Sequence, residues 1–585
     1  MRREGEAAAI KASCAAEGQS RPVFTTESAC QDCYKCVRHC HCKAIQIIDA
    51  RAAILPNRCV SCGECVRVCP SHAKKIRSDL ARAQRLVALG EQVHASIAPS
   101  FPGHYRGVSI NRLAGALKRL GFAGVGETAL GAQLVSARTA QMLCEVRGGA
   151  WLSSACPAAV EFIRKYHPRW ASRILPVVSP VQAHARWLRQ RFGQEVRTVF
   201  FGPCAAKKVE ADNAPETLSL ALTFGELDEW LARVGVSLAE VDEAPLSHGV
   251  AEEGRLYPIE GGMNETLRAP ELDARLITVS GLGNLARLIE RIDADAFDAS
   301  GTKLFVEMLA CEGGCLNGPA MAQGAGLDVI VEVERAGRRQ ASAGRQVAVS
   351  LDMAFTPAAV ESPTPDEVAL KKALESLGKF TAADELNCGA CGYNSCRQLA
   401  AALVEGKAET SMCLSHLRRI SQKTSNALIR YIPVAVVLAD DNLQVVECNR
   451  NFAELCGEEV LTAYDACGNL SGAYLASLLP FTELFESVLQ GGGEIEKFNQ
   501  SLGDRILNLS VFAIAEGRVI GAILQDVTQY ELKREQVAGR AREVIRKNVL
   551  TVQRIAHALG EHMADTEVLL SEIAGAWSDK PGEGA

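Results

Sequence analysis

The chain has 585 residues, of which 48% are apolar, a formal net charge of −6 and 22 cysteines. It is too long for one domain, and its apolar content suffices for several cores. The small negative charge gives no reason to expect nucleic acid or an anionic membrane as a partner. No apolar run could span a membrane and no signal peptide follows Arg2-Arg3, so we expect a cytoplasmic chain whose cysteines bind metals.

The first predicted elements are a disordered tail, residues 1–21, and a cysteine-rich domain, residues 22–78. Two runs share the spacing C-x2-C-x2-C-x3-C: Cys30, Cys33, Cys36, Cys40 and Cys59, Cys62, Cys65, Cys69. This is the bacterial ferredoxin pattern, in which the fourth cysteine of each run serves the other 4Fe–4S cluster. The pattern predicts one cluster on Cys30, Cys33, Cys36 and Cys69, and another on Cys59, Cys62, Cys65 and Cys40. Cys42 is a spare thiol that could exchange with Cys40, and zinc is the alternative metal.

Three cysteine-containing segments organise residues 79–355. They are SSACP with Cys156, GPCAAKKVE with Cys204, Lys207 and Glu210, and FVEMLACEGGCLNGP with Cys311 and Cys315. The glycines let the backbone approach a bulky inorganic cluster, so the four cysteines predict one large site. Helical periodicity covers Ile110–Leu120 and Gln182–Phe192, and a strand, Val196–Phe201, leads into the Cys204 loop. The histidines without ligand spacing are expected to cap helices or lie on the surface: His104, His167, His184 and His248.

These three segments resemble the motifs of the FeFe (diiron) hydrogenases, over roughly residues 22–350. The alternative for this region is a relative that builds only the cubane, like the hydrogenase-like iron–sulfur assembly proteins. The resemblance implies an H-cluster, in which Cys156, Cys204, Cys311 and Cys315 hold a 4Fe–4S cubane. Cys315 would bridge to a diiron unit that carries CO, cyanide and azadithiolate. Lys207 would donate to one cyanide, and the segment Ala98-Pro99-Ser100 would contact the other. Hydrogen would be the substrate, with a redox partner such as ferredoxin and with maturation proteins that insert the diiron unit.

The departures from the family pattern concern proton transfer. Ala155 replaces the relay cysteine, and Leu309 and Glu312 replace a methionine and a proline. Glu145 is the only carboxylate in the segment where the relay normally continues. Glu210 matches a family glutamate but would be isolated, and the alternative role for it is a salt bridge. We assign Pro99, Ser100, Lys207 and Glu210 to the catalytic site and predict slow turnover, because acid–base relays contribute about 10²–10⁴-fold in rate.

Residues 366–422 are predicted to form a small metal-binding domain. Asp366-Glu367 begins a helix that runs to about Gly378. Cys388, Cys391, Cys396 and Cys413 then follow the spacing C-x2-C-x4-C-x16-C, with a helix over Arg397–Glu405. This segment resembles the 4Fe–4S module of corrinoid iron–sulfur and electron-transport proteins, so we expect a third cluster beyond the H-cluster. A structural zinc ion is the alternative.

Residues 424–530 change to strand-rich sequence. The predicted strands are Ile432–Ala439, Leu443–Cys448, Glu494–Asn499, Arg505–Ala513 and Val519–Val527, and a helix begins at Asn449. This order resembles a PAS sensory domain whose ligand, if it has one, is unidentified. The absence of histidine between His416 and His557 argues against a histidine-ligated haem. The remaining thiols here are redox or ligand candidates, or small buried apolar residues: Cys448, Cys456 and Cys467.

A helix is predicted over residues 531–576. Its apolar side chains recur every three or four positions: Ile545, Val549, Val552, Ala556, Leu559, Met563, Leu570 and Ile573. Such a seam predicts a coiled coil, and hence a homodimer, or a docking helix. His557 is not interpreted as a phosphoacceptor, because no nucleotide-binding motif accompanies it.

The sequence therefore predicts a multidomain chain of α+β and α/β class. Its parts are a ferredoxin-like domain with two clusters, an H-cluster domain, a small 4Fe–4S module, a PAS domain and a C-terminal helix. The predicted function is hydrogen sensing: slow, reversible hydrogen oxidation, with the redox state relayed to the PAS domain and a kinase or phosphatase effector. The alternatives are a catalytic ferredoxin-linked hydrogenase and an iron–sulfur redox sensor without the diiron unit.

Overall fold

The computed structural model describes residues 21–90, 92–267, 272–321, 326–338, 349–361, 365–491, 493–515, 518–528 and 544–555. The predicted tail, apart from its last residue, and most of the predicted helix over 531–576 lie outside these ranges. Contacts divide the chain into two compact units, Met1–Met412 and Cys413–Ala585. None of the described helices combines the length and apolar character needed to cross a membrane.

The N-terminal unit begins with a small region, residues 21–78, in which both cysteine runs adopt the same local structure. Each run leads into a short helix, Lys35–His39 or Glu64–Arg67. Left-handed backbone conformations at Asp32, Tyr34 and Lys43 recur 29 residues later at Ser61, Gly63 and His72. The antiparallel strand pairs are Val23–Thr25 with Lys74–Ile76 and Ile45–Ile48 with Arg51–Ile54. The repeated geometry indicates a duplicated binding loop.

Two parallel sheets form the centre of this unit. In spatial order the strands are Gly124–Glu127, Val93–Ile97, Arg197–Phe201 and Leu220–Leu222 in one sheet, and Arg275–Ser280, Lys303–Leu309 and Gly149–Leu152 in the other. The strand Val93–Ile97 is buried along its whole length, as expected for a parallel strand covered on both faces. The loops with Ser100, Cys156, Cys204 and Cys311 all follow the carboxyl ends of strands, where α/β folds place their binding sites.

Helices cover these sheets. They are Leu80–Ala88, Phe101–His104, Ile110–Arg119, Ala129–Glu145, Pro157–Tyr166, Pro180–Phe192, Ala206–Asn213, Phe224–Val234, Gly262–Thr266, Leu282–Arg291, Ala294–Ser300 and Leu327–Arg338. Both helices expected from periodicity are present, and the predicted strand before Cys204 is Arg197–Phe201. Lys208 is 1% exposed, and its Nζ donates to Glu226 Oε2 at 2.8 Å and to Asp79 Oδ2 at 3.2 Å. This buried pairing fixes the helix that carries Lys207.

Residues 365–412 complete the N-terminal unit. The helices are Glu367–Ser376 and Cys396–Val404, close to the predicted ones. Asp366 caps the first helix, since its Oδ1 accepts a hydrogen bond from the Ala369 backbone N–H at 2.6 Å. A 2.9 Å backbone hydrogen bond from Ile47 to Lys407 and a 3.1 Å Arg58–Glu405 ion pair hold this segment against the ferredoxin-like region.

The C-terminal unit contains a five-stranded antiparallel sheet. In spatial order its strands are Val445–Cys448, Ala435–Asp440, Val519–Asp526, Arg505–Ala515 and Glu494–Leu502. Its helices include Leu414–Tyr431, Arg450–Cys456, Glu458–Cys467 and Thr482–Gly491. Asn449 is fully buried and caps the second of these helices, because its Oδ1 accepts from the Phe452 backbone N–H at 3.0 Å. Its Nδ2 donates to the Val434 carbonyl at 2.7 Å, which joins the cap to the sheet.

The helical segment 544–555 covers one face of this sheet. Ile545, Val549 and Val552 are each 5% exposed. They pack against side chains of the sheet and the segment before it: Val434, Val436, Phe512 and Ile523. The expectation that these three positions face a partner helix is therefore corrected, because the sheet of the same unit buries them. The remaining positions of the predicted seam lie outside the described residues.

Candidate metal centre

Four cysteines from three loops share one site in the N-terminal unit. Cys156 and Cys204 each lie just before a helix, and Cys311 and Cys315 follow the strand Lys303–Leu309. Burial raises the pKa of the Cys311 thiol well above its usual value, and the thiols of Cys315, Cys204 and Cys156 raise it further. Burial, with Cys156 as neighbour, raises the pKa of Cys204 to about 11. Thiols that disfavour one another's ionisation in this way need a metal group to hold them as thiolates.

The Cys311–Cys315 loop depends on its glycines. Gly313 and Gly314 have φ values of +72° and +90°. A Cβ on Gly314 would lie 2.3 Å from the Pro258 carbonyl oxygen, so no larger residue fits there. The loop can therefore bring both thiols into the site only with glycine at this position.

A cavity of about 90 Å³ adjoins Cys156, Cys204 and Cys315. Its lining is largely apolar and includes Pro99, Ala155 and Leu309. Ser100 also lines it and is fully buried, yet its Oγ has no hydrogen-bond partner among the described residues. A buried hydroxyl without a partner is costly, so Ser100 indicates that a polar group belongs in the cavity.

Lys207 brings a positive charge to the same cavity. Its Nζ donates to Glu210 Oε2 at 2.6 Å and to Ser179 Oγ at 2.9 Å. Ser179 in turn donates to Glu210. Glu210 is therefore not isolated. It forms a salt bridge with Lys207, which is the alternative role that the sequence suggested for it. The spacing of three residues on one helix explains the contact.

Glu307 is a cavity residue that the sequence reasoning missed. It lies in the strand Lys303–Leu309 and is 1% exposed. Its carboxylate accepts hydrogen bonds from the Met263 and Asn264 backbone N–H groups and from Thr278 Oγ1, each at 3.2 Å. Burial raises the pKa of Glu307 to about 7 despite these bonds. The signal available in the sequence was one carboxylate inside an otherwise apolar strand, FVEML.

The residues present fit an anionic iron–sulfur group with anionic ligands. The cysteines supply four sulfur donors, Lys207 supplies a cationic donor, and Ser100 supplies a hydroxyl without another partner. Within the described residues no three His, Cys, Asp or Glu side chains surround one common metal-ion position. A cubane does not require that arrangement, because its four irons each take one thiolate.

Thiols of the two predicted ferredoxin-like sets influence one another's pKa values. Burial raises the pKa of Cys36 to about 11, and the thiols of Cys33, Cys30 and Cys69 contribute to the rise. Burial also raises the pKa of Cys65, with contributions from its neighbours Cys62, Cys59 and Cys40. Cys42 is buried beside the second set, where Cys40, Cys62 and Cys59 raise its pKa. The ligand assignments remain predictions, and Cys42 remains the spare thiol nearest to them.

The Cys388 module packs against the helix and turn of the first cysteine run, at Arg38 and Lys43. Cys391 and Cys396 are buried, Cys388 is exposed, and Cys413 belongs to the C-terminal unit. Lys43 Nζ donates to the Gly392 carbonyl at 2.6 Å and lies 5.9 Å from the centre of the Tyr393 ring. Burial lowers the pKa of Lys43, and the nearby thiols of Cys40 and Cys391 oppose this shift, so this lysine lies near a thiol of each set.

The other candidate residues are distributed as follows. Glu145 accepts a hydrogen bond from Gln141 at 3.0 Å and is not among the residues that line the cavity. Cys448 and Cys456 are near enough for Cys448 to raise the pKa of Cys456, which burial brings to about 12. Cys467 is exposed.

Two of the four histidines occupy their expected positions and two do not. His167 is the C-cap residue of the helix Pro157–Tyr166, as expected. His104 is a partner of Asp228 at 2.6 Å near the surface. His184 is fully buried and His248 is 6% exposed, so neither caps a helix or lies on the surface. The rings of His184 and His248 also lie close together. The spacing of these residues in the sequence could not reveal this contact, because it forms only when the sheet folds.

Family models match three parts of the chain. Residues 91–319 match the model described as iron only hydrogenase large subunit, C-terminal domain. Residues 52–75 match a 4Fe-4S binding domain, and residues 384–415 match a model for an Fe-S cluster segment. The matches support an FeFe-hydrogenase-type domain together with iron–sulfur binding segments, within a mixed α/β fold.

Curated relatives are similar to parts of this chain at low identity. Protein NAR1 of Arabidopsis thaliana is 27% identical over 232 residues, covering 28% of this chain and 48% of the relative. The NADP-reducing hydrogenase subunit HndD of Solidesulfovibrio fructosivorans is 24% identical over 336 residues, covering 44% and 55%. The chain thus spans about half the length of these relatives. A variant of the FeFe-hydrogenase HydA1 from Chlamydomonas reinhardtii, 17% identical, superposes with a TM-score of 0.39 over 48% of this chain and 100% of that one.

Proposed function

We propose that this protein is a hydrogen-sensing FeFe hydrogenase that oxidises hydrogen slowly and reversibly. The observation that carries the proposal is the cavity, in which three of the four clustered cysteines, Lys207 and the unpartnered Ser100 surround space for an anionic group. An H-cluster bound there would supply the chemistry that splits hydrogen into protons and electrons. Hydrogen is the substrate, and maturation proteins would be needed to install the diiron unit.

The chain's own residues would bind and orient this group. Cys156, Cys204, Cys311 and Cys315 would hold the cubane, with Cys315 as the bridging thiolate. Lys207 would donate to one cyanide, and the Pro99-Ser100 segment would contact the other. Because Lys207 donates to both Glu210 and Ser179, its ammonium is held in place at the cavity wall. The apolar lining excludes water, which strengthens these interactions.

Slow turnover follows from Ala155. This residue lines the cavity at the position of the family's relay cysteine, and a methyl group cannot carry a proton. Glu145, the carboxylate upstream, is bonded to Gln141 instead. A site that meets hydrogen but releases protons slowly suits detection better than bulk catalysis.

Electrons would leave through the iron–sulfur clusters. Cys62 is close enough to contribute to the raised pKa of Cys311. A Cβ on the adjacent Gly63 would lie 2.5 Å from the Pro319 side chain, which shows how closely the two loops pack. The cluster predicted on Cys40, Cys59, Cys62 and Cys65 would thus be the middle cluster of the path. From it, the contact through Lys43 leads to the Cys388 module. A redox partner such as ferredoxin would exchange electrons with the outer clusters.

The C-terminal unit would convert the redox state into a signal. Its five-stranded antiparallel sheet, with the two strands nearest the N-terminus at one edge, supports a PAS-type domain. The ligand of that domain and the effector, a kinase or phosphatase, are not identified by any contact. Cys448 and Cys456 are buried or half-buried among apolar side chains, which favours a packing role. Because the sheet buries the first three seam positions, a homodimer would have to use other surfaces or the rest of the predicted helix.

Infrared spectroscopy of the protein matured with its assembly proteins tests the proposal. We expect CO and cyanide bands that shift when hydrogen is added, together with low turnover. Cys315→Ala should lose the bands, whereas Cys144→Ser, which changes a thiol outside all the cluster motifs, should keep them. Shifting bands with fast turnover would instead identify a catalytic hydrogenase.

An iron–sulfur redox sensor without the diiron unit is the second candidate. The observation that favours it is the Lys207–Glu210 ion pair, since the lysine already has a counter-charge without any cyanide ligand. Matured protein with full iron content but no CO or cyanide bands would establish this second function and exclude the first.

A further inference from the structure

Three histidines lie together in the core of the N-terminal unit. His94 Nδ1 and His248 Nε2 are hydrogen-bonded at 2.8 Å, and their rings are stacked. The ring of His184 meets the ring of His248 edge-on, with 5.3 Å between the centroids. All three are at least nine-tenths buried, and the motifs of the proposed site include none of them.

The surrounding structure makes space for these rings. On the strand Gly124–Glu127, a Cβ at Gly124 would lie 2.5 Å from His94 Nδ1. A Cβ at Gly126 would lie 2.2 Å from His248 Nδ1. Both glycines have ordinary backbone conformations, so it is the close approach of the histidines that requires them. The cluster is therefore a built feature of the sheet.

Hydroxyl groups connect the cluster to the cavity. Thr128 lines the cavity, and its Oγ1 is 2.7 Å from Ser96 Oγ. Ser96 Oγ is also 2.9 Å from His184 Nδ1. Each hydroxyl can accept a proton on one side and donate its own on the other. The chain Thr128–Ser96–His184 is thus continuous from the cavity wall to the first imidazole.

The last ring of the cluster, His94, lies under a side chain that reaches the surface. Phe192, which is 46% exposed, packs on the rings of His94 and His248. The histidines therefore cover the distance between a buried hydroxyl pair and the partly exposed Phe192.

We propose that Thr128, Ser96, His184, His248 and His94 form a proton route that replaces the relay interrupted at Ala155. A proton released in the cavity binds the Thr128 hydroxyl, and each group gains a proton on its inner side and releases one on its outer side. The net result is one proton taken up at Thr128 and one released from His94 Nε2 at the Phe192 end of the cluster, with every group of the chain left neutral. The electrons leave separately through the clusters. This inference rests on the proposed function.

Two features make this route slow. His184 Nε2 and His248 Nδ1 have no hydrogen-bond partner among the described residues. The step between these rings therefore needs a ring rotation or a bridging water. Burial, aided by the neighbouring histidines, lowers the pKa of His184 to about 3 and that of His248 to about 2, and Lys118 contributes to the second shift. A protonated imidazole is consequently rare at neutral pH, which limits the flow of protons.

Competing uses of the cluster are less consistent with its geometry. A metal ion shared by His94 and His248 would need the two nitrogens that are hydrogen-bonded to each other. The hydrogen bonds form a chain rather than converging on a common point. A purely structural cluster would not need a hydroxyl pair that ends in the cavity wall.

Ser96→Ala tests the route, because it removes the hydroxyl that joins Thr128 to His184. The matched control is Thr198→Val, which removes a fully buried, unpartnered hydroxyl from the neighbouring strand, opposite His94. Ser96→Thr keeps the hydroxyl and should restore the wild-type rate. In matured protein we expect Ser96→Ala to slow the hydrogen-induced infrared change about tenfold or more, with an altered solvent isotope effect. Thr198→Val should leave both unchanged.

A second readout does not depend on the diiron unit. Nitrogen NMR of histidine-labelled protein, isolated without maturation, reports the tautomer and protonation of each imidazole. We expect the His184 signal to change in Ser96→Ala but not in Thr198→Val. The same signals should show neutral His184 and His248 at neutral pH.

The outcomes separate the route from the proposed function. Equal behaviour of Ser96→Ala and Thr198→Val in both measurements would overturn the route alone. Slowing by Glu210→Gln with no effect of Ser96→Ala would place proton transfer on the Lys207 face and also overturn it. Absence of CO and cyanide bands in wild-type protein would overturn the proposed function, and the proton route with it.

Discussion

The cavity is connected to the rest of the N-terminal unit in two unlike ways. Its cysteines continue through Cys62 and Lys43 toward further thiols, in loops that pack directly on one another. Its connection for protons consists of single hydroxyls and imidazoles, with an unbridged step between His184 and His248. Electron transfer tolerates a gap between clusters, whereas proton transfer requires hydrogen-bond contact at every step. If the proposed function and proton route hold, electrons leave the cavity more readily than protons do.

Removing the middle cluster should have the largest effect on this contrast. Cys62→Ala should lower the rate at which hydrogen reduces the outer clusters about 100-fold or more, equivalent to about 2.7 kcal/mol of barrier. The infrared bands of the cavity should remain. Electron paramagnetic resonance after rapid mixing with hydrogen measures the rate. Cys42→Ala is the control, since this buried neighbour lies outside both runs; a loss as large as that of Cys62→Ala would make Cys42 a ligand.

Glu307 should make stability depend on pH. Its pKa of about 7 in the folded chain exceeds the usual 4.5, so the folded state holds a proton that the unfolded chain has lost. The stabilisation is complete below about pH 4.5 and is lost as the pH rises through 7, by on the order of 3 kcal/mol. Glu307→Gln should remove this dependence. Denaturant unfolding at several pH values measures it, and an unchanged slope in the variant would exclude Glu307 as the source.

Restoring a thiol at position 155 should reduce the difference between electron and proton transfer out of the cavity. Ala155→Cys should raise hydrogen turnover about tenfold or more, because it adds an acid–base group at the cavity wall. Dye-reduction assays measure turnover, and infrared bands confirm equal loading. Ala155→Ser, which adds a less acidic group of similar size, should give a smaller gain. No gain with cysteine would mean that the missing thiol does not limit the rate.

The smallest effect is expected from changing the contact between the Cys388 module and the ferredoxin-like region. Gly392→Ala places a Cβ 3.0 Å from the Arg38 nitrogen at a φ of +91°. Gly389→Ala has a similar φ of +73°, but its Cβ meets only the Tyr393 oxygen at 3.9 Å. Both should lose about 1 kcal/mol from the backbone alone. Gly392→Ala should in addition slow reduction of the module cluster, and equal rates in the two variants would exclude this contact from the electron path.

Local sequence patterns predicted most of the structure around the cavity. The cysteine spacings, the strand before Cys204 and the helix after Asp366 depend on neighbouring residues, so the sequence alone could reveal them. The Lys207–Glu210 pair was also predictable, because residues three apart on a helix are neighbours. The histidine cluster was not, since His94 and His248 are 154 positions apart and meet only through sheet packing. The C-terminal seam indicated burial correctly but could not specify the burying surface.

The apolar side chains of the helical segment 544–555 already pack on the sheet of the same unit, so any partner of this segment would compete with the sheet for them. Ile545, Val549 and Val552 are already withdrawn from water, and burying such side chains stabilises by roughly 1.5–3 kcal/mol each. An incoming helix would gain nothing by covering the same three side chains unless they first left the sheet. Release of the segment from the sheet would expose its own apolar side chains together with those of Val436 and Phe512. Binding of a partner helix to these side chains and release of the segment from the sheet would then have to occur together.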